Sequence, residues 1–574
     1  MTGMSKKKAM LTTAAALLTL TTVLAGCGGG NSGNSSSPSS TSSSSGASGS
    51  TETPSNGEAP ATPVSDIFEL GSEPLNLKFY AHYDWFSMAP WGQDISSKWI
   101  KDNKKVNIEY IPSGNNAQQK LNTMLAGKDL PDLIWFNRGA AEFEMMRKND
   151  MLAPIDDYID KYPNMKKWVP EELRNMLRSE DGKLYQFPNW YTNKPVGNAG
   201  WIINKKIYKE LGSPKLETTE DLYSYAKLVK EKYPGVTPIE SDLAIDGQLL
   251  DVLYSAFEEN ALNRWVGDRA RPKDGVMTSI FNDPTYRESM KFAAQLYREK
   301  LMTQDAFSQT RDQVKEKILN GEVAVYASIN ATEFAREGQA LLSAQDPEAG
   351  YEMIWPIAKP GLDRNKIFPG TYTYLGWNII TITKSTPDPE KAFAFLDWFT
   401  GPEAQSVLMW GPPGEFWDEF KDVDGVPTPV FNENYVKKQK ELVDLQAITT
   451  WYTWNGNAVF TDKTKGDYES TLPEQDRNWE TSQQYNIAWR TQGEATEFVN
   501  LEPAKDSDEG IKQTAVEDIW DKSRAEALMN TKSDADVDRI LDKAHEDAMK
   551  VGYQDVLDFK TKKWHENRKA MGRE

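Results

Sequence analysis

Aromatic side chains set beside short polar ones recur at three places in this sequence. The first is His82-Tyr83-Asp84-Trp85, with Trp91 close behind; the second is Asn189-Trp190-Tyr191; the third is Thr371-Tyr372-Thr373-Tyr374-Leu375-Gly376-Trp377. An indole or phenol ring offers a flat apolar face and a polar tip. Asp, Asn and Arg supply hydrogen bonds that match hydroxyl groups. Together these are the means of holding a sugar, whose C–H faces stack on rings while its hydroxyls are read by polar groups. The whole chain shares the bias, with 19 Trp and 23 Tyr against three His. Most of these rings are packing, but a soluble protein does not need every indole in its core, and the rest are candidate binding platforms.

Catalytic chemistry has few candidates. Two of the three His, His545 and His565, lie in a charged C-terminal stretch. His545-Glu546 is followed by Met549 where a zinc protease helix needs its second His. No Gly-x-Ser-x-Gly nucleophile elbow occurs. A glycoside hydrolase needs two positioned carboxylates, and spacing singles out no pair among 85 acids. The chain is therefore read as a binder, not an enzyme. Asp422-Val423-Asp424-Gly425 begins like a calcium loop but lacks the remaining ladder and the Glu at the twelfth position. It reads as a β-turn; calcium stays an alternative, and no cofactor is required.

The N-terminus carries a different chemistry. Lys6, Lys7 and Lys8 precede an uncharged, Ala/Leu/Thr-rich stretch from Ala9 to Ala25, the pattern of a secretory signal. Leu24-Ala25-Gly26-Cys27 resembles the bacterial lipobox, in which the Cys becomes the lipid-modified first residue of the mature chain. Cys27 is the only Cys, so no disulfide within the chain competes for it. The segment behind it is a leash, since twelve of the twenty residues Asn31 to Ser50 are Ser. Such a composition buries too little apolar surface to offset its chain entropy. The expected organisation is a signal over 1–26, a lipid on Cys27 and a flexible linker over 27–69. The net charge of −19 grows by three negative units when Lys6 to Lys8 are removed. Bulk electrostatics thus disfavours nucleic acid and anionic lipid, and attachment to a membrane falls to the lipid.

The folded body is too long for one core and predicts at least two lobes. Leu75 to Tyr80 and Val106 to Tyr110 alternate apolar and polar residues as strands do. Ile95 to Asp102 between them, and Asn116 to Ala126 after them, read as helices; Leu130 to Phe136 reads as a buried strand. This is the β-α-β-α-β rhythm of a doubly wound sheet. Thr218 with Asp221 forms a capping box, and Asp388-Pro389-Glu390 opens a helix that ends at Gly401. The last 60 residues read as charged helices.

Several motifs in this order resemble the extracellular solute-binding proteins of ABC importers, family 1, in the long lipoprotein branch of Gram-positive bacteria. They are QQKLNTMLAGKDLPDLI over Gln118 to Ile134, Asp181-Gly182-Lys183-Leu184-Tyr185 with Pro188, Trp201 to Lys205 with the Thr218 helix, Asn320 to Val325, and Asp388 to Gly411. The resemblance covers most of the mature chain. It implies an α/β, two-lobed, periplasmic-binding-protein-like fold with a hinge and a helix-rich C-terminus. By analogy, lobe one takes 70–188 and about 328–400, and lobe two takes 189–327 and about 401–574. It also implies a monomer that captures a ligand between the lobes. An ABC permease pair with its ATPase would then read the closed form.

In open α/β sheets, ligands sit beyond the carboxyl ends of strands, so the loops there hold the candidates. They are His82, Tyr83, Asp84, Trp85 and Trp91 after the first strand, Ser113 and Asn115 after the second, and Asn137 and Arg138 after the third. Trp190 and Tyr191 lie at the first crossing between lobes; Asn330, Tyr372, Tyr374 and Trp377 lie near the return; Asp246 comes from lobe two. Trp85 and Trp377 lead this set. The expected ligand is an oligosaccharide, with peptide as the alternative; a ligand-sensing lipoprotein of the same fold, without transport, and a secreted glycoside hydrolase are the alternatives to an importer component.

Overall fold

The computed structural model describes residues 67–189, 198–242, 244 and 247–574. The signal, Cys27 and nearly all of the linker lie outside the described residues, as do Trp190, Tyr191 and Asp246. In chain order the first strands are β1 (Leu75–Ala81), β2 (Val106–Ile111), β3 (Leu133–Asn137), β4 (Phe187–Asn189), β5 (Gly200–Asn204), β6 (Thr237–Glu240), β7 (Ala270–Lys273) and β8 (Val276–Ser279). They are followed by β9 (Val323–Ser328), β10 (Tyr351–Ile354), β11 (Gly370–Tyr372), β12 (Asn378–Ile382), β13 (Trp417–Val423), β14 (Val426–Phe431) and β15 (Gln492–Glu494).

Two sheets organise the molecule. The first runs β2-β1-β3-β12-β4. Its β1, β2 and β3 are parallel, as the β-α-β-α-β order predicts, and β12 runs antiparallel between β3 and β4. Period-2 alternation sends Leu75, Leu77 and Phe79 of β1 to one face and Tyr80 to the other. On the first face they meet Phe395, Phe399 and Leu408 from the helices Pro389–Thr400 and Pro402–Trp410. On the second, Tyr80 meets Leu121 and Met124 of the helix Ala117–Gly127. The second sheet runs β10-β5-β9-β6. Its core takes Leu222, Tyr225 and Val229 of the helix Thr219–Lys232, whose capping box is made as the sequence predicts.

The lobe boundaries differ from those expected in two places. The stretch Ala331 to Ile354 belongs to lobe two: β10 pairs antiparallel with β5, and Phe334 of the helix Ala331–Ser343 packs with Ile202 and Tyr326. The return to the first sheet comes only between β11 and β12. Residues from Pro402 to Phe460 belong with lobe one, where Trp410, Trp417, Tyr452 and Trp454 join the core of β1. Those bounds rest on analogy, and nothing local to either stretch shows which sheet its apolar face covers. The helices Asp508–Met529, Asp534–Lys550 and Tyr553–Ala570 do pack on lobe two, through Trp520, Leu541 and Val556. Asp424 and Gly425 make the left-handed turn of the β13–β14 hairpin, with Gly425 N donating to Asp422 Oδ1 at 3.0 Å. Among the described residues, no group of three or more His, Cys, Asp or Glu is placed to hold a metal ion. No helix among them is long and apolar enough to cross a membrane.

Between the sheets lies a two-stranded parallel ribbon, β11 with β15, in the register Gly370 to Gln492 and Tyr372 to Glu494. The C-terminus holds this ribbon. Asn567 Nδ2 donates to the carbonyls of Glu497 (3.0 Å) and Val499 (2.6 Å), while Arg573 pairs with Glu494 at 2.7 Å and Glu497 at 3.2 Å. Backbones approach so closely here that a methyl group on Gly370 would overlap both Ala199 Cβ and the Gln492 amide. Gly370→Ala should therefore cost about 1–3 kcal/mol through overpacking, read as a lower urea midpoint; an unchanged midpoint would show that the ribbon yields freely.

Candidate functional site

The carboxyl ends of β1 and β3 are covered by a cluster of aromatic rings. A tight turn after β1, in which the Tyr83 N–H donates to the Ala81 carbonyl at 2.9 Å, leaves the Tyr83 ring buried and the Trp85 ring exposed. Trp377 precedes β12, whose Asn378 pairs with Asn137 at the end of β3, so the antiparallel register places Trp377 over the same edge. The rings of Trp85 and Trp377 lie 6.5 Å apart, and Tyr83 sits between and beneath them, 5.0 Å from Trp85 and 5.8 Å from Trp377. Trp135 of β3 closes the floor, 4.9 Å from Tyr83 and 5.7 Å from Trp377. Trp85 is 56% exposed and Trp377 45%, whereas Tyr83 and Trp135 are buried. Burial raises the pKa of the Tyr83 hydroxyl well above its ordinary value.

The sequence reading missed one member. Trp451 is 40% exposed and its ring lies 6.0 Å from that of Trp85. It is held there by Trp454, which donates its indole N–H to the Trp451 carbonyl (2.9 Å) and stacks on Phe79 of β1 at 3.8 Å. The run Trp451-Tyr452-Thr453-Trp454-Asn455-Gly456 has the same aromatic and polar mix, but it follows no strand, and residue type alone does not tie it to a strand end.

Other predicted residues take structural places. Trp91 is buried and donates to the Val106 carbonyl at 3.0 Å, so it is a core residue. Asp84 Oδ1 accepts the N–H of Ala117 at 2.6 Å, which sets a carboxylate at the start of the helix Ala117–Gly127. His82 lies 3.3 Å from Tyr80 Oη and 4.0 Å from Glu142. Burial lowers its pKa, against the opposing pull of Glu142 and Asp84. Ser113 and Asn115 form the turn ahead of that helix, Asn115 in the left-handed region at φ 61°. Asn330 lies in lobe two, joined to Asn198 at 3.1 Å. Tyr372 and Tyr374 pack against each other at the ribbon, 5.7 Å apart. Asn137 is exposed at the end of β3.

Arg138 is the residue that positions the platform. Its backbone N–H donates to the Trp377 carbonyl at 3.2 Å. Its guanidinium donates to the carbonyls of Leu375 (3.0 Å) and Gly376, and to Asn500 Oδ1 at 3.0 Å. Burial, and then the charge of Arg264, pull its pKa downward, yet a guanidinium stays cationic at neutral pH. The strap Leu375–Trp377 is thus fixed from below. From the ribbon side, Thr496 Oγ1 accepts the N–H of Tyr374 at 2.9 Å.

With this geometry in view, the chain can be set beside known proteins. The pattern of the bacterial extracellular solute-binding protein family matches residues 87–406. The chain belongs to that family. It is 27% identical over 282 residues to the fructooligosaccharide ABC transporter substrate-binding protein FusA of Streptococcus pneumoniae. That match covers 46% of this chain and half the length of the relative. The polygalacturonan/rhamnogalacturonan-binding protein YtcQ of Bacillus subtilis is 22% identical over 378 residues, 63% of this chain and 70% of its own. The solved structure of FusA in complex with kestose shares the fold, with a TM-score of 0.63 over 86% of this chain and 99% of that one at 19% identity.

Replacing Arg138 by Met strands the acceptors it now satisfies and should cost about 1–3 kcal/mol. Arg138→Lys keeps the charge without the planar fork and should recover only part of that. Urea unfolding followed by tryptophan emission measures both; equal stability of all three proteins would remove Arg138 from this role.

Proposed function

We propose that this chain is the ligand-capturing component of an ABC importer, held at the outer face of the cell membrane by a lipid on Cys27, and that its ligand is an oligosaccharide. One observation carries the ligand class: three exposed indoles, Trp85, Trp377 and Trp451, stand side by side at the carboxyl ends of parallel strands. Exposed large aromatic rings in a patch mark a binding surface, and the spread of their faces suits consecutive sugar rings. The relatives FusA and YtcQ are named for saccharide ligands, which supports the same reading. The ribbon β11–β15 would act as the hinge on which the lobes close over the ligand. The closed protein would then deliver its cargo to permease subunits powered by an ATPase. The lipobox-like sequence and the Ser-rich leash support the tether.

Titration of the purified full chain with a panel of oligosaccharides should change its tryptophan emission saturably. Trp85→Ala and Trp377→Ala should each weaken that response about tenfold, since a stacked ring at a hot spot contributes about 1.4 kcal/mol or more. A response to peptides and to no glycan would sink the saccharide reading. Labelling cells with a palmitate analogue should mark the wild type and not Cys27→Ala; equal labelling of both would sink the tether.

A further inference from the structure

Neighbouring residues after β15 bury their side chains in different lobes. Phe498 joins the core of lobe two and Val499 the core of lobe one, so the boundary between the lobes passes through a single peptide bond. Lobe two grips this point with the helix Tyr553–Ala570. Its Trp564 lies flat against Phe498, with ring centroids 6.0 Å apart at 14°. Asn567 donates to the carbonyls of Glu497 and Val499, and Arg568 and Arg573 reach the Glu497 carboxylate at 3.3 and 3.2 Å. Arg264, also of lobe two, donates to the Phe498 carbonyl at 3.1 Å.

Lobe one grips the same segment from its own side. Arg138 donates to Asn500 Oδ1 at 3.0 Å, and the same guanidinium holds the carbonyls of Leu375 and Gly376. Two further bonds tie the segment to the strap. The Ala495 N–H donates to the Tyr372 carbonyl at 2.9 Å, and the Tyr374 N–H donates to Thr496 Oγ1 at 2.9 Å. Burial lowers the pKa of Arg138 and the charge of Arg264 lowers it further, so the two guanidiniums, one from each lobe, feel each other here. Thr496, Phe498 and Val499 are buried. Close-packed, hydrogen-bonded contacts of this kind carry energetic coupling between distant parts of a protein.

We propose that Asn567 and Arg573 of lobe two are positioning residues for Trp377 in lobe one, acting through the segment Glu494–Asn500. Their grip on Glu497 and Val499 fixes where Thr496 and Asn500 stand. Those two hold Tyr374 and Arg138, and these in turn hold the strap that ends in Trp377. A change in the angle between the lobes moves the segment and re-aims the indole. The inference goes beyond the saccharide reading and holds for whatever ligand the platform takes.

The test is hydrogen exchange of the purified full chain, read by mass spectrometry, for the wild type, Asn567→Ala, Arg573→Gln and Arg573→Lys. Asn567→Ala and Arg573→Gln should speed exchange about three- to tenfold at residues 494–500 and also at 372–377 and Arg138. Residues 77–81 of β1 and 222–229 of the helix Thr219–Lys232 should keep the wild-type rates. Arg573→Lys, which keeps the charge without the fork, should recover part of the protection. In protein labelled with 5-fluorotryptophan, the fluorine signal of Trp377, assigned through Trp377→Phe, should shift in Asn567→Ala and Arg573→Gln while that of Trp398 stays. Should Asn567→Ala unfold, Arg573→Gln decides, because its side chain is partly exposed. Faster exchange confined to 494–500, with an unmoved Trp377 signal, overturns the inference, since the grip is then local. Faster exchange throughout both lobes overturns it as well, since the two residues then only hold the fold together. No change in either variant removes them from this role. No sugar or peptide enters the test, so each of these outcomes leaves the saccharide reading where it stands.

Discussion

A guanidinium withdrawn from water must find acceptors for its N–H groups, and Arg138 finds them on segments that no local rule brings together. One is the strap Leu375–Gly376 and another is Asn500, 362 positions along the chain. Arg138 itself follows β3, so these bonds join the first sheet, the strap that carries Trp377 and the segment after β15. The indole of Trp377 stands where it does because its carbonyl and the two before it are held. Trp85 and Tyr83 then pack against that fixed ring, and the edge of the sheet acquires its platform.

The first half of lobe one is legible in the sequence because its elements are local and its partners adjacent. β1, the helix after it, β2, the helix Ala117–Gly127 and β3 appear in the order and nearly at the limits that alternation and helical spacing indicate. Capping residues Thr218 and Asp388 mark helix starts that the structure repeats. Trp85 and Trp377, named from residue type and from their place after strands or at a crossing, come together in one cluster. What stayed hidden is long-range. Trp451 reaches the platform only through Trp454 stacking on Phe79. Trp91 looked like its neighbour Trp85, but its N–H faces a carbonyl of β2 rather than solvent. Polar residues near a helix start, Asp84 and Asn115 among them, serve backbone geometry, a use that residue type alone does not separate from ligand contact.

The two lobes divide the work unevenly. Lobe one presents exposed rings on a rigid edge of five strands. Lobe two answers with a smaller sheet braced by the three long C-terminal helices. The chain passes between them at β4 to β5, at β11 to β12 and again before β15, so the region between the lobes is built of several strands rather than one linker.

The way the C-terminus grips β15 has a consequence for the order in which the molecule can assemble. Glu494 and Glu497 are held by Arg573, Val499 by Asn567, and Asn500 by Arg138. The Arg138–Asn500 contact closes a loop of 362 positions and those of Arg573 and Asn567 close loops of 68 to 79, and loop closure must be made before any of them returns stability. Each sheet can gather its local elements early, while the joint between them waits for the final helix. A chain folding from its N-terminus onward would carry two half-built lobes until that helix was in place. The joint between the sheets, rather than the platform that Arg138 sets, would be the last part to find its place.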